Sequence, residues 1–440
     1  MNESALNKAL TRVVAVRPGE SRALLWSFAY FFCLLAGYYV LRPVRDEMGL
    51  ASGIKNLPWL FTATFFVMLA VIPIYGALVA RLPRHRFIPL VYHFFVANIL
   101  IFWVLLTQGI ALATTAQVFF VWISVFNLFA VSVFWSFMAD LYASEQGKRL
   151  FGFIAAGGSA GALLGPTIAA TLAEALGRAN LLLIAIVLLE IAVFCAMRLE
   201  SAAAAFKAGQ PGNAQVKPPA AAGGLGGSWL AGVAMIVRSP YLAGIALWVA
   251  LLSLAGTFLY FQQLNIVASL SDDPNRRTAI FARIDLAVSL LTIVVQFFAT
   301  GKLIQRFGAG PATAFLPLVF AIGFIALWAT PVLWVIIAFQ AAQRAANFAI
   351  SNPAREVLFT VVDREEKYKA KYVIDNVVFR GSDAVFGWVF HALRGAGLEL
   401  GAISLATVPV TAAWLALALA LGRMHERRAP PGASADENKS

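Results

Sequence analysis

Residues 23–43, ALLWSFAYFFCLLAGYYVLRP, carry no charge until Arg42. A helix of this length is about 30 Å long, the thickness of the hydrocarbon core of a bilayer. Lipid offers no water to free backbone groups, so a stretch of this kind crosses a membrane as a helix. Comparable apolar runs recur at 58–80, 87–107, 116–139, 151–172, 180–198, 240–262, 279–300, 311–329, 332–352, 372–394 and 401–422. Hydrophobic residues make up 60% of the 440 positions and charged ones 13%, a balance that excludes a water-soluble globule. The weak alternation of a membrane barrel is absent. The expected fold is an all-α membrane protein with twelve transmembrane helices.

The charges set its orientation. Lys8, Arg12, Arg17 and Arg22 precede the first run, Arg81, Arg84 and Arg86 follow the second, Lys148 and Arg149 the fourth, and Arg355, Arg364, Lys367, Lys369 and Lys371 the tenth. The alternate loops are poor in Lys and Arg, so the positive-inside rule places both termini in the cytoplasm. The net charge of +12 is then mostly a topology signal, and nucleic-acid binding lacks a soluble domain to perform it. Cys33 and Cys195 both lie in apolar runs, and His85, His93, His391 and His425 have no ligand spacing. No disulfide framework, metal site or cofactor is expected. No small-residue cleavage site follows the first run, which reads as a retained helix.

Ala, Gly and Pro dominate Ser201–Gly227, where Lys207 and Lys217 also fall, as in a flexible linker. The expected organisation is a cytoplasmic segment 1–22, a six-helix bundle 23–200, a cytoplasmic linker 201–235, a second six-helix bundle 236–422 and a disordered cytoplasmic tail 423–440. An internal echo relates the bundles. Gly76, Leu78 and Arg81 recur as Gly301, Leu303 and Arg306, and Lys148, Gly158 and Ser159 recur as Lys371, Gly381 and Ser382.

Polar residues inside spans are costly and usually face a wet cavity or a partner. The tenth run carries Gln340, Gln343, Arg344, Asn347 and Ser351 at spacings that keep them on one broad helical face. The first run ends in Tyr38, Tyr39, Arg42, Pro43, Arg45 and Asp46, where two guanidinium groups suit an anion or simply pair with Asp46 or Glu47. The eighth run offers Arg283 and Asp285, and the eleventh Asp375, Arg380 and Asp383. Arg380 and Asp383, three apart, also suit a structural ion pair. Glu190, Gln262 and Gln263 are weaker candidates. Because Arg42, Arg45, Arg283, Arg344 and Arg380 outnumber Asp285, Asp375 and Asp383, a positive cavity and an anionic small-molecule substrate are expected. The substrate set is therefore Arg42, Arg45, Arg283, Gln340, Gln343, Arg344, Asn347 and Arg380. Should protons couple to transport, Asp285 or Asp383 is the carrier.

The fifth run holds Gly152, Gly157, Gly158, Gly161, Gly165 and Pro166. Such density implies close backbone packing or a bend. A phosphate-binding loop would need a following Lys and Ser or Thr, which is missing.

Two six-helix halves related by an axis along the membrane normal resemble the major facilitator superfamily over nearly the whole chain. The segments around Arg81 and Arg306 look like that superfamily's glycine-and-arginine loop motif, with Ala80 and Gln305 where an aspartate is usually near. The Gly152, Gly161, Gly165, Pro166 pattern is similar to its antiporter motif, with Ala169 for the last glycine. Within it, Leu41–Asp46 (LRPVRD), 134–161 and 352–381 (NPAREVLFTVVDREEKYKAKYVIDNVVFRG) resemble the nucleotide transporter family, the ATP/ADP antiporters of plastids and intracellular bacteria. The match is most specific over Pro353, Glu356, Asp363, Lys371 and Asp375. The resemblance implies that Arg45 and Arg355 stand where the family commonly uses lysine for substrate phosphate, and that Lys371 and Asp375 match its characteristic pattern; the candidates for coupling or gating are Asp46, Asp285, Arg355, Glu356, Lys371, Asp375 and Asp383. The family's exchangers also use carboxylates in spans four and seven, and 122–135 and 255–271 contain none. The expected cargo is therefore an anion other than ATP or ADP.

The leading expectation is a secondary active transporter working by alternating access, an exchanger in the inner membrane of a bacterium, with the lipid bilayer and a small anion as its partners and no obligate protein partner. A non-transporting sensor or assembly partner is the alternative. An enzyme acting on a lipid-linked substrate is less favoured, since the largest loop, Arg355 to Lys371, is mostly basic.

Overall fold

The computed structural model describes residues 14, 16–17, 19–81, 84–208, 229–307 and 309–428, which are helical almost throughout, with no strand among the described residues. The helices are α1 (Ser21–Ala51), α2 (Leu57–Arg81), α3 (Arg84–Thr107), α4 (Leu112–Leu141), α5 (Ser144–Leu176), α6 (Leu181–Ala208), α7 (Trp229–Arg238), α8 (Pro240–Leu270), α9 (Pro274–Phe307), α10 (Ala309–Ala329), α11 (Leu333–Ala346), α12 (Asn352–Leu358), α13 (Arg364–Val373), α14 (Phe379–Gly395) and α15 (Leu400–Arg428). Among the described residues, nine helices are long and apolar enough to cross a bilayer: α1 to α6, α8, α10 and α15. The remaining expected spans, 279–300, 332–352 and 372–394, fall on α9, on α11 with the turn after it, and on α14 with the turn before it. These are the more polar stretches, and two of them are interrupted.

Each interruption is a π turn, Asn347–Ser351 and Ile374–Val378. The first has a visible cause. Pro353 has no N–H to donate to the carbonyl four residues back, and its ring crowds that carbonyl, so the chain widens just before it. The linker expected at 201–235 is helical at both described ends, where α6 runs to Ala208 and α7 begins at Trp229. The alanines at 202–205 favour that extension. Residues 209–228, most of 1–22 and 429–440 lie outside the described residues, so the central linker, the N-terminal segment and most of the tail do too.

The chain divides into two compact units, Met1–Ile54 with Phe66–Leu225 and Ser271–Leu286, and Lys55–Phe65 with Gly226–Leu270 and Ala287–Ser440. Consequently α2 and α9 each contribute to both.

In the first unit α1 is the central rod, packed by α4, α5 and α6, with Leu24, Tyr30, Leu34, Val40, Leu41, Val44 and Met48 all inaccessible. Phe31 stacks on Phe134 with ring centres 4.1 Å apart. The Tyr30 hydroxyl donates to the Tyr92 hydroxyl (2.7 Å), which donates to the Ala130 carbonyl (3.2 Å), so the polar ends of these buried rings are satisfied.

In the second unit α8 packs on α14 and α15, and α10 on α11 and α15. Trp248 and Trp414 meet edge-on at 5.4 Å, and Phe320 and Phe324 enclose Phe339. The Tyr241 hydroxyl donates to the Leu358 carbonyl (2.8 Å).

The glycines of α5 form a groove for α1. A methyl group at Gly157 would stand 2.6 Å from the Phe28 carbonyl oxygen, and one at Gly165 2.6 Å from the Ala36 carbonyl oxygen. At Gly161 it would collide with the Phe32 carbonyl and the Ala36 amide, and at Gly158 with the Phe31 ring. Pro166 lies inside the helix without ending it. Gly152 is the exception to the packing reading, for nothing lies within 4 Å of a methyl placed there. It precedes Gly161 by nine positions, and at about 100° per residue that is the opposite face. Gly161→Ala, which meets unyielding backbone, is therefore expected to destabilise the detergent-solubilised protein by about 1 to 3 kcal/mol, whereas Gly152→Ala leaves the melting temperature unchanged or raised. Equal melting temperatures for the two variants would refute the groove.

The start of α1 is pinned by a buried carboxylate just before the membrane span. Glu20, 2% exposed, accepts hydrogen bonds from Arg149 (3.0 Å), Gln146 (2.9 Å) and the Arg17 amide (2.9 Å). Burial alone would raise its pKa, but Arg149 and the two neutral donors outweigh it and hold the carboxyl below its usual 4.5. A depressed carboxylate stabilises the fold above its unfolded-state value and loses that contribution as pH falls through the folded value. Glu20→Gln should thus lower the melting temperature at pH 7 and flatten its decline between about pH 5 and 3. An unchanged acid limb would contradict the assignment.

Candidate functional site

The polar end of α1 builds the first group. Pro43 sits within α1 and the helix continues to Ala51, so Arg42, Asp46 and Glu47 are carried on a continuous rod. Arg42 pairs with Asp285 of α9 (Nη1 to Oδ1, 3.3 Å), its side chain 21% exposed and that of Asp285 4%. Its guanidinium also lies 5.7 Å from the centre of the Tyr39 ring. Arg45 folds back on its neighbour Asp46 (2.7 Å) and lies over the Phe120 ring at 4.8 Å. Arg283 turns away from Asp285 and pairs with Glu174 (2.9 Å), with both side chains about half exposed.

Glu47 forms the most enclosed charge cluster. Its side chain is inaccessible and receives Arg277 through Nε (2.7 Å) and Nη2 (2.8 Å), with Arg178 Nη1 at 2.8 Å. The Arg178 amide donates to Asn275 Oδ1 (2.9 Å). Burial lowers the pKa of Arg178, which lies in the loop between α5 and α6, against the opposing charge of Glu47. Stranding either partner of such a buried pair costs about 3 to 5 kcal/mol. The loop bearing Arg178 and the first turn of α9 bearing Arg277 are thereby tied to the end of α1. Sequence reading names Glu47 only as a pairing option and misses Arg178 and Arg277, which look like ordinary loop charges; only their burial marks them.

The second group belongs to the other unit. Asp383 of α14 accepts hydrogen bonds from Ser253 Oγ (2.6 Å) and Thr257 Oγ1 (3.2 Å), one turn apart on α8, with Arg380 Nη1 at 3.7 Å. Gln340 donates to Gln263, and Gln262 and Ser404 exchange hydrogen bonds at 2.8 and 3.0 Å. Arg355 pairs with Asp375 (2.9 Å), and Lys371 Nζ reaches both oxygens of Glu356 (2.6 and 2.5 Å). Gln343 and Arg344 are half-buried. In the π turn, Asn347 Oδ1 and Ser351 Oγ are enclosed with no hydrogen-bond partner among the described residues. The widened turn means that the single 3.6-residue face expected for 340–351 holds only as far as Ala346.

The candidate residues thus fall into two groups, Arg42, Arg45, Asp46, Arg283 and Asp285 in one unit, and Gln340, Gln343, Arg344, Asn347, Arg355, Glu356, Lys371, Asp375, Arg380 and Asp383 in the other. The expectation of surplus positive charge meets a specific obstacle. Arg42, Arg45, Arg283 and Arg380 each face a carboxylate, because a guanidinium inside a span is stable only with its charge compensated. No cluster of three or more metal-ligating His, Cys, Asp or Glu side chains occurs among the described residues.

No family model and no curated protein matches the sequence. Solved structures resemble the fold. A bacterial homologue of the human lysosomal transporter Spinster, in an inward-facing and unoccupied conformation, superposes with a TM-score of 0.54 at 15% identity, over 94% of this chain and 98% of that one. The nucleoside transporter NupG gives 0.58 at 14% identity, over 94% and 100%. A bacterial homologue of the iron transporter ferroportin gives 0.62 at 11% identity, over 93% and 98%. The chain is an all-α membrane protein with the fold of these transporters, the major facilitator fold.

Proposed function

We propose that the protein is a secondary active transporter that moves a small anionic solute across the membrane by alternating access. The observation that carries this reading is the Arg42–Asp285 pair, a guanidinium and a carboxylate set inside two helices of a transporter fold. At 3.3 Å the contact is longer than the 2.7–2.9 Å of a tight charge-assisted bond. In this reading Asp285 holds the place of the solute. An incoming anion takes the guanidinium from Asp285, and the carboxylate takes it back on release, so the empty site never exposes an uncompensated charge to lipid. Exchange fits the same chemistry when another anion, rather than the carboxylate, replaces the one leaving.

Arg355–Asp375 and Lys371–Glu356 then act as latches rather than as phosphate ligands, since at 2.9 and 2.5 Å each basic group is held more tightly by its acid than Arg42 is by Asp285. That favours a cargo other than ATP or ADP within the nucleotide-transporter resemblance. Twelve spans in two six-helix halves, both termini in the cytoplasm and an inner-membrane location complete the reading, supported by the distribution of Lys and Arg.

Reconstituted vesicles should take up a labelled organic or phosphorylated anion when preloaded with unlabelled anion or given a proton gradient. Losing one charged hydrogen bond to the solute is worth about 1.5 to 3 kcal/mol, so Arg42→Gln should raise KM about ten- to a hundredfold. Failure of the wild type to move any anion class under either gradient, or wild-type kinetics in Arg42→Gln, would overturn the proposal.

A further inference from the structure

His93 of α3 and Glu190 of α6 meet on the outside of the first unit. His93 Nε2 lies 3.4 Å from Glu190 Oε2, with side chains 54% and 42% exposed. His93 Nδ1 also lies 2.8 Å from the Pro89 carbonyl oxygen. A carbonyl only accepts, so Nδ1 donates to Pro89 and Nε2 is the nitrogen turned to the carboxylate.

The surroundings are those of a lipid-facing surface. Leu90, Phe94 and Ile101 on α3 and Val187, Ile191 and Phe194 on α6 are 42% to 59% exposed. Glu190 lies nine residues after Leu181 and twelve before Ala202 in its apolar span, about 13 Å and 18 Å from its ends. His93 lies six residues after Phe87 and fourteen before Thr107, about 9 Å and 21 Å from its ends. Neither side chain is long enough to bring its polar end to the headgroups from mid-span. Ionisable groups at this depth normally turn inward to a cavity or a partner, whereas this pair turns outward.

We propose that this face of α3 and α6 is the interface with a second copy of the chain. The argument is charge complementarity under symmetry. A twofold axis along the membrane normal keeps every residue at its own depth, so the pair of one copy meets the same pair of the other. That axis reverses the component of the His93-to-Glu190 direction lying in the membrane plane, so the imidazole of one copy can be set against the carboxylate of the other. The interface is isologous and closes at two copies. It also removes both carboxylates from lipid, which no approach by lipid tails does. Outward-facing Ala97, one turn beyond His93, permits close approach of the paired α3 helices.

The test is cross-linking in vesicles of a variant with Cys33 and Cys195 replaced by alanine and Ala97→Cys introduced. A short bismaleimide should trap a dimer, whereas Ile322→Cys, 60% exposed on the other unit, should not. Glu190→Leu, and more mildly Glu190→Gln, should cut the trapped fraction roughly tenfold, and the swapped pair His93→Glu with Glu190→His should restore it. Correctly melting protein that gives no Ala97→Cys dimer, or equal yields at Ala97→Cys and Ile322→Cys, or yields indifferent to Glu190→Leu, would each overturn the proposal. The assay is independent of transport, so its failure leaves the transport reading standing.

Discussion

A guanidinium inside a bilayer has to be compensated, and the polar architecture of this protein follows from that requirement. Arg42, Arg45 and Arg380 each stand against a carboxylate within or beside a span, and Arg178 and Arg277 share the enclosed Glu47. Such pairs contribute little net stability, because desolvation offsets most of the attraction. What they contribute is position, since a stranded charge is far more costly than a paired one. Glu20 at one end of α1 and Glu47 at the other fix that helix against the segments bearing Arg149, Arg178 and Arg277.

Between those clamps the glycine groove of α5 determines how near α1 can come. Backbone atoms of Phe28, Phe32 and Ala36 occupy the space that side chains at Gly157, Gly161 and Gly165 would fill. The two helices are therefore packed backbone to backbone, and Arg42 lies on the same rod, six residues beyond Ala36. A rigid rod carrying a paired arginine suits a protein in which the solute exchanges with a counter-charge rather than fills an empty basic cleft.

Much of the helical layout is legible in residues. Apolar runs such as 23–43 are long enough to decide their own conformation, since lipid leaves the backbone no other option. The packing face of α5 is also legible, and counting turns from Gly161 would have set Gly152 on the opposite side. Partner identities are harder to read. Arg283 and Asp285, two residues apart on one helix, do not face each other, and nothing in their spacing says that Asp285 pairs with Arg42 while Arg283 reaches Glu174. The hydroxyls that hold Asp383 sit on α8, far off in sequence, and serine or threonine in an apolar run gives no sign of what it faces. Pro353 hints at a disturbed helix, but the π turn at Ile374–Val378 has no comparable marker.

The central claim is that a solute anion and Asp285 compete for the same guanidinium. Its most direct measurement is the affinity of purified protein for its best-stabilising anion, taken from the rise in melting temperature with concentration, before and after Asp285→Asn. Competition predicts tighter binding in the variant, because the neutral amide no longer holds Arg42 back. Unchanged or weaker binding in a variant that still folds would contradict it.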